Sequence, residues 1–292
     1  MKVLLTGAQG QVGQEITPLA LRQGWQILAL ERAALDITDP QAVRKTVTAF
    51  QPQIVLNCAA YTAVDLAESQ PQQAFAVNRD GARHLAATCA EIGCPLLHIS
   101  TDYVFDGTQS DPYPETAPPG PLGVYGASKW AGEEAIRAAW SNHLIVRVSW
   151  VFGFHGKNFV KTILRLAAER ETLAVVADQY GGPTPAVAIA DMMLNLARQA
   201  LAPGFGQWGT CHYQGWPVVS WHDFAQAIVA TAREQTRLPL RELRPIPTRD
   251  YPTPAQRPAH AILDCQRIRD QLGIDPPDWR PILNHLIPRL LP

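Results

Sequence analysis

The sequence has no charge excess: 25 basic residues stand against 26 acidic ones, a formal net charge of -1. With no basic run either, nothing supplies the field that draws nucleic acid or an anionic membrane, and a charged ligand must be held by a few local groups. Cysteine is scarce. The five residues Cys58, Cys89, Cys94, Cys211 and Cys265 form no Cys-x-x-Cys pair. An odd, scattered set in a chain of this length reads as reduced cytosolic thiols, and Cys58, inside an apolar run, reads as a small buried hydrophobe. No apolar segment reaches the roughly 20 residues that a membrane span needs. The amino terminus shows no signal-peptide pattern, only a short strand-like run, Lys2 to Thr6, that passes at once into glycines. Internal repeats and low-complexity tracts are also missing. The expectation is a cytoplasmic protein with no nucleic-acid and no membrane partner.

What is present is apolar material: 47% of the 292 residues are hydrophobic and 17% charged, enough for one large α/β domain or two coupled lobes. Short apolar runs at Val3–Leu5, Gln26–Leu30, Ile54–Asn57, Leu96–Ile99 and Leu144–Val148 alternate with amphipathic stretches near Val12–Gln23, Gln41–Phe50, Gln72–Ile92 and Val124–Trp140. That alternation predicts an α/β fold, a doubly wound parallel sheet whose strands are buried on both faces. The second half is less regular. Helical stretches near Phe159–Arg170, Ala188–Gln199, Trp221–Arg233 and Ile282–Ile287 are separated by loops rich in proline, and two such loops, Asp111–Pro121 and Pro245–Pro258, read equally as stiff cleft walls and as surface connections. The division expected is a dinucleotide-binding Rossmann domain over 1–152 and a smaller carboxyl-terminal substrate-binding lobe over 153–292, with some segments of the latter returning to the sheet.

Gly7-Ala8-Gln9-Gly10-Gln11-Val12-Gly13 follows the first strand and opens the first helix. Glycines there permit a tight turn and let backbone amides approach a pyrophosphate, which the helix amino terminus meets with unpaired donors. The second strand ends at Leu30-Glu31-Arg32. An acid there suits a ribose hydroxyl and an arginine a 2′-phosphate, so NADH and NADPH both remain open. Asp36 and Ile37 offer a carboxylate and an apolar contact to an adenine, although Asp36 reads equally as a turn cap. Ala59, Ala60, Tyr61 and Thr62 follow the third strand at the edge where ligands sit in such sheets.

Ser100-Thr101-Asp102-Tyr103 ends the fourth strand, and Tyr125-Gly126-Ala127-Ser128-Lys129 begins the next helix, with Tyr125 and Lys129 on one helical face. Ketone reduction needs hydride delivered to carbon and a proton to the developing alkoxide. A neighbouring ammonium would move the Tyr125 phenol from its ordinary pKa of about 10 toward the working range. Lys129 can also donate to a nicotinamide ribose, and Thr101 can hydrogen-bond the carbonyl oxygen.

These residues, with the runs Leu5–Gly13, Asn57–Asp65, Ser100–Gly107, Val124–Lys129, Arg147–Val151, Asp178–Thr184 and Tyr251–Pro258, make the chain resemble the dTDP-4-dehydrorhamnose reductase family of the extended short-chain dehydrogenase/reductases. The resemblance spans nearly the whole chain. It implies NAD(P)H-dependent reduction of a nucleotide-linked 4-keto sugar, with Tyr125 as proton donor, Lys129 as its activator and cofactor anchor, and Thr101 as carbonyl partner. It also implies that Val64, Thr101, Asp102, Tyr103 and Trp150 line the sugar site. Without the resemblance Trp150 reads as a core aromatic. Arg257, in a proline-stiffened loop, is a candidate diphosphate contact read from its charge alone.

Some members of the family dimerise across a magnesium ion held by glutamates. Glu15 matches one such position, but Val187 and His285 stand at the others, which argues against a metal-bridged dimer; a monomer or homodimer with no metal site is expected. Two other readings stay open at this point. One is another sugar-nucleotide reductase, epimerase or dehydratase, although a dehydratase needs a second carboxylate where Tyr103 follows Asp102. The other is a non-catalytic NADP-binding regulatory subunit resembling that of methionine adenosyltransferase.

Overall fold

The computed structural model describes residues 1–291. Strand β1 (Lys2–Thr6) leads into helix α1 (Gln11–Arg22), and β2 (Gln26–Leu30), α2 (Pro40–Phe50) and β3 (Ile54–Asn57) continue the alternation. Short helices α3 (Val64–Ala67) and α4 (Pro71–Phe75) precede α5 (Ala82–Ile92), then β4 (Leu96–Thr101), α6 (Val124–Ala139) and β5 (His143–Val148). The stretch read as one helix from Gln72 to Ile92 is therefore interrupted: a π-helical segment, Ala76–Gly81, joins α4 to α5. Its extra residue per turn aims the buried Asn78 side chain at the loop after β3, where it accepts from Tyr61 N and donates to Tyr61 O.

Beyond β5 the chain forms β6 (Val151–Phe152), α7 (Phe159–Glu169), β7 (Thr172–Val176), β8 (Tyr180–Gly181), β9 (Thr184–Pro185) and α8 (Ala186–Ala200). It ends with β10 (Gly209–Tyr213), β11 (Val219–Ser220), α9 (Trp221–Arg233), β12 (Glu242–Ile246), α10 (Gln266–Leu272) and α11 (Trp279–Leu290). The main sheet is six-stranded and parallel throughout, in the order β10-β5-β4-β3-β1-β2. Its direction of winding reverses between β1 and β3, and a crevice opens there at the carboxyl ends of the strands. Val3, Leu4, Leu5, Ile54, Val55 and Leu56 are all fully buried, as strands covered on both faces require.

Of three hydrophobic cores, one packs Val43 and Val47 of α2 and Leu85 and Cys89 of α5 on Leu4, Val55 and Ile145 of the sheet, and the other two concern the cleft. One unites the sheet and α1 with Met192, Met193 and Leu196 of α8, Tyr213 of β10 and Ile268 of α10, so late segments of the chain complete the sheet domain. The other joins Val160 and Ile163 of α7, Phe224 and Ile228 of α9, and Leu283 and Ile287 of α11.

A buried ion cluster pins α6 to the sheet. Arg147 of β5, 2% exposed, donates to both oxygens of Glu133 of α6, at 3.0 and 2.7 Å. Arg137 and Ser100 add bonds at 2.6 and 2.5 Å. Burial alone would raise the Glu133 carboxyl, but the guanidinium bonds outweigh it and hold the group below the usual carboxylate range. Removing one partner of such a pair strands a buried charge. Arg147→Met is expected to cost about 3 kcal/mol of unfolding free energy in urea, at the low end of the usual range because Arg137 remains. A loss under about 1 kcal/mol would show that the cluster is structurally dispensable.

Candidate active site

The glycine loop is shaped by close backbone approach. Gly7 has φ +71°, and a Cβ there would lie 2.5 Å from Ala59 N and from Cys58 C; at Gly13 it would lie 2.3 Å from Gly7 O. Backbone occupies those places, so neither position accepts a side chain. No side chain caps α1 and no acidic residue stands in its first turn, which leaves its amino-terminal N–H groups facing the cleft. This is the geometry a pyrophosphate fits.

A cavity of about 740 Å³ runs from this loop across the carboxyl edge of the sheet. Its walls include Gly7, Gly10, Gln11, Val12 and Gly13, then Glu31, Arg32, Asp36 and Ile37, and Ala59, Ala60, Tyr61 and Thr62. At its other end stand Val64, Thr101, Asp102, Tyr103, Tyr125, Lys129 and Trp150. Of the site residues read from the sequence, only Arg257 lies off this lining. Its guanidinium is paired with Asp65 at 2.9 Å and also donates to Thr253 and Ala255. Asp36 lines the cleft and caps a turn at once: one oxygen accepts from Thr38 N and Oγ1, and the other lies 3.6 Å from Arg32.

Burial dominates the chemistry at this second end of the cavity. The Tyr125 phenol is pushed up to about 12, chiefly by desolvation; a hydrogen bond with the Thr101 side chain opposes the rise and the Asp102 carboxylate adds to it. Lys129 is 2% exposed and lowered to about 8, again chiefly by desolvation. Its Nζ donates to Ile99 O at 2.6 Å and lies 3.1 Å from His98 Nε2. The sequence reading has the ammonium draw the phenol pKa downward; in this arrangement the lysine is not among the groups that move the phenol. Sharing a helical face brought Tyr125 and Lys129 to one cavity, but the lysine tip is turned to the β4 backbone, and the charge acting on the phenol is that of Asp102.

Asp102 is itself 2% exposed, and its carboxyl is pushed up to about 7 by desolvation. Thr101 Oγ1 donates to its Oδ1 at 3.0 Å, while Oδ2 has no hydrogen-bond partner among the described residues. Tyr103 meets Tyr125 edge to face at 5.6 Å. Trp150 adopts φ +45°, rare for a bulky residue, and its indole stacks flat on Trp221, with ring centroids 3.4 Å apart. Gly181 lies against this indole: a Cβ there would fall 2.6 Å from Trp150 Cε2.

The sequence reading missed Trp221 and Gly181, which support Trp150 from distant segments. It also missed Lys157, a cation on the cleft wall beside Gly156 of φ +65°. The Asn158 side chain ties that loop to Gln11 at 3.1 Å. A lysine next to a glycine after the fifth strand was the available signal.

The family model described as RmlD substrate binding domain matches residues 1–291. The chain belongs to this family. The dTDP-4-dehydrorhamnose reductase of Aggregatibacter actinomycetemcomitans is 43% identical over 289 residues, covering 98% of each chain. The crystal structure of a dTDP-4-dehydrorhamnose reductase from Clostridium acetobutylicum has a TM-score of 0.92 to this chain, at 34% identity over 99% of both. That from Bacillus anthracis, in complex with NADP, has a TM-score of 0.90 at 35% identity, covering 99% of this chain and all of the other.

The three RmlD-family positions considered for a bridging magnesium do meet, around a separate cavity of about 150 Å³, as Glu15, Val187 and His285. One carboxylate, one imidazole and one valine, with Arg289 beside them, are a poor donor set for a hard cation.

The buried Asp102 makes a pH-dependent prediction. Its folded pKa of about 7 exceeds the unfolded value of about 3.9. Between those values the folded chain holds a proton that the unfolded chain has released, so stability falls as pH rises through the window. Relative to the parent, Asp102→Asn should therefore gain on the order of 2 to 4 kcal/mol between pH 4 and pH 8 in urea unfolding. A pH-independent difference would show that this carboxyl is hydrated or ordinary in the folded chain.

Proposed function

We propose that this chain reduces the 4-keto group of dTDP-4-dehydro-L-rhamnose to dTDP-L-rhamnose with NADPH or NADH. The observation that carries the reading is a single cleft joining the glycine loop to Thr101, Asp102, Tyr103, Tyr125, Lys129 and Trp150, in a chain whose reductase relatives match it end to end. The glycine loop and the open amino terminus of α1 hold the pyrophosphate. Glu31 and Arg32 stand where the adenosine ribose is read, with Ile37 against the adenine. When bound, the dinucleotide supplies the hydride.

Tyr125 supplies the proton. A phenol held up to about 12 is fully protonated at neutral pH, which suits a donor to an alkoxide more basic still. Thr101 holds the carbonyl oxygen. Asp102, Tyr103 and Val64 surround the sugar, and the Trp150 indole packs on its apolar face. Lys129 anchors the nicotinamide ribose. Arg257 would have to leave Asp65 to reach a diphosphate, so it is given no substrate role. The second core, built on α7, α9 and α11, supports Trp221 beneath Trp150 and thereby carries the substrate side of the cleft. The reading places the enzyme in the cytoplasm, consistent with its five free cysteines, as a monomer or a homodimer with no shared metal.

Loss of NADPH absorbance on mixing enzyme with dTDP-4-keto-6-deoxy-L-mannose, matched by sugar reduction, is the expected result. No loss despite demonstrated NADPH binding and a verified substrate would favour another keto-sugar or the regulatory-subunit reading. Tyr125→Phe should lower turnover by about 10²- to 10⁴-fold with NADPH affinity nearly unchanged; near-normal turnover would overturn the proton-donor role. Lys129→Met should weaken both turnover and dinucleotide binding, measured by fluorescence titration, and parent-like binding would remove the anchoring role.

A further inference from the structure

Behind Lys129 runs a line of buried polar side chains that the proposed mechanism does not use. Thr6 of β1, Asn57 of β3 and His98 of β4 are each no more than 1% exposed. Thr6 Oγ1 donates to Asn57 Oδ1 at 2.7 Å, Asn57 Nδ2 lies 2.8 Å from His98 Nδ1, and His98 Nε2 lies 3.1 Å from Lys129 Nζ.

The polarity of this line is fixed at one end. Ala59 N–H, which needs an acceptor, donates to Asn57 Oδ1 at 3.1 Å, so the amide cannot be turned round. Asn57 Nδ2 is then a donor, and His98 Nδ1 must accept. A neutral imidazole that accepts at Nδ1 carries its proton at Nε2. His98 is held neutral, its pKa driven well below the ordinary value chiefly by burial. Its Nε2–H therefore points at the lysine nitrogen. An ammonium has no lone pair to receive it, whereas a neutral amine accepts from His98 and still donates to Ile99 O.

We infer that Thr6, Asn57 and His98 are positioning residues that set the charge of Lys129. They favour the neutral amine in the free enzyme at pH 8 and above, so that dinucleotide binding there, which draws Lys129 to a ribose, takes up a proton from solvent. The inference rests on the anchoring role proposed above. The other groups facing Lys129 fit it. Burial lowers the lysine to about 8. Glu133, one turn along α6, opposes that shift, but its charge is already engaged by Arg147 and Arg137. Cys58, at the end of β3, is pushed up to about 12 and is an uncharged thiol, and the Tyr125 phenol is likewise neutral.

The test is calorimetric titration of NADPH into the full chain at pH 8, in phosphate and in Tris, whose ionisation heats differ. A 2′-phosphate with a second pKa near 6 is already dianionic at that pH and contributes no proton. Uptake of between about half a proton and one proton per NADPH is expected for a lysine titrating at or below pH 8 in the free enzyme. Asn57→Asp reverses the line: a carboxylate accepts from Thr6, Ala59 N–H and His98 Nδ1–H, leaving Nε2 to accept from an ammonium. Uptake in that variant should fall to less than about a tenth of a proton. NADPH binding to the parent without uptake, or equal uptake in Asn57→Asp, would overturn the inference.

Failure of NADPH to bind would count against the cofactor reading alone. The free enzyme then decides the charge of Lys129 without ligand and without the variant. The chain has only five lysines, and the Lys129 side-chain resonance, identified by its absence in Lys129→Met, should titrate at or below about pH 8. A midpoint at the ordinary value near about 10.4 would refute the neutral amine.

Discussion

The arrangement depends first on how closely two stretches of backbone approach. Gly7, leaving β1, lies against Cys58 and Ala59, leaving β3, with no room for one carbon between them. Gly13 repeats the restriction one turn into α1, against Gly7 itself. This packing sets the loop's curvature, turns the amino terminus of α1 into the crevice, and brings the β3 exit within reach of the same ligand. It lies where the sheet's winding reverses, the place at which a parallel sheet leaves its edge uncovered by connecting helices.

Dryness is the second constraint, and it acts on three groups in one direction. Tyr125 and Asp102 are pushed up and Lys129 is pushed down, each chiefly by desolvation. The shared consequence is a site whose resting groups lean toward neutrality. In the proposed reaction, a carbonyl that becomes an alkoxide in such a place is met by a phenol still holding its proton, and the low local polarisability strengthens each hydrogen bond aimed at it. The charged cluster of Glu133, Arg147 and Arg137 lies one layer behind, on the sheet side of α6, where its charges satisfy each other instead of hydrating the cleft.

Much of this was legible in the sequence, for identifiable reasons. The first five strands are short apolar runs bounded by breakers, and their predicted ranges match the observed ones to within two residues at either end. Local motifs carried the site wherever neighbours in sequence are neighbours in space, as in the glycine loop and the Thr101–Tyr103 turn. The misses share a cause too. β10, with Cys211 and His212 at its centre, has no apolar run to betray it, although those side chains are buried between β5 and the late helices. The π-helical segment at Ala76–Gly81 obeys tertiary demand, since Asn78 must face the Tyr61 backbone while Gly132 of α6 crosses over it. Glu133 and Arg147 meet across 14 positions, and Trp150 meets Trp221 across a greater distance still, separations that no periodicity records. Helical spacing placed Lys129 beside Tyr125 correctly as a position but not as a contact, because the Ile99 carbonyl and His98 decide where a long side chain ends.

Trp150 shows how the two cores are coupled at the site. It follows β5 of the sheet domain, yet its ring rests on Trp221 at the start of α9, in the second core, and against Gly181 at β8. A left-handed backbone in a tryptophan costs about 1 to 3 kcal/mol, so it persists only where surrounding contacts over-determine it. Those contacts come from the second core and from β8, while the backbone of Trp150 continues from β5 of the sheet. Any rotation of the second core against the sheet would slide Trp221 under Trp150 and shift the large apolar surface that the indole presents to the cleft. The strain and the stack thus confine the indole to a single orientation, and in the proposed reaction the ketone's distance from Tyr125 depends on how the second core packs against the sheet.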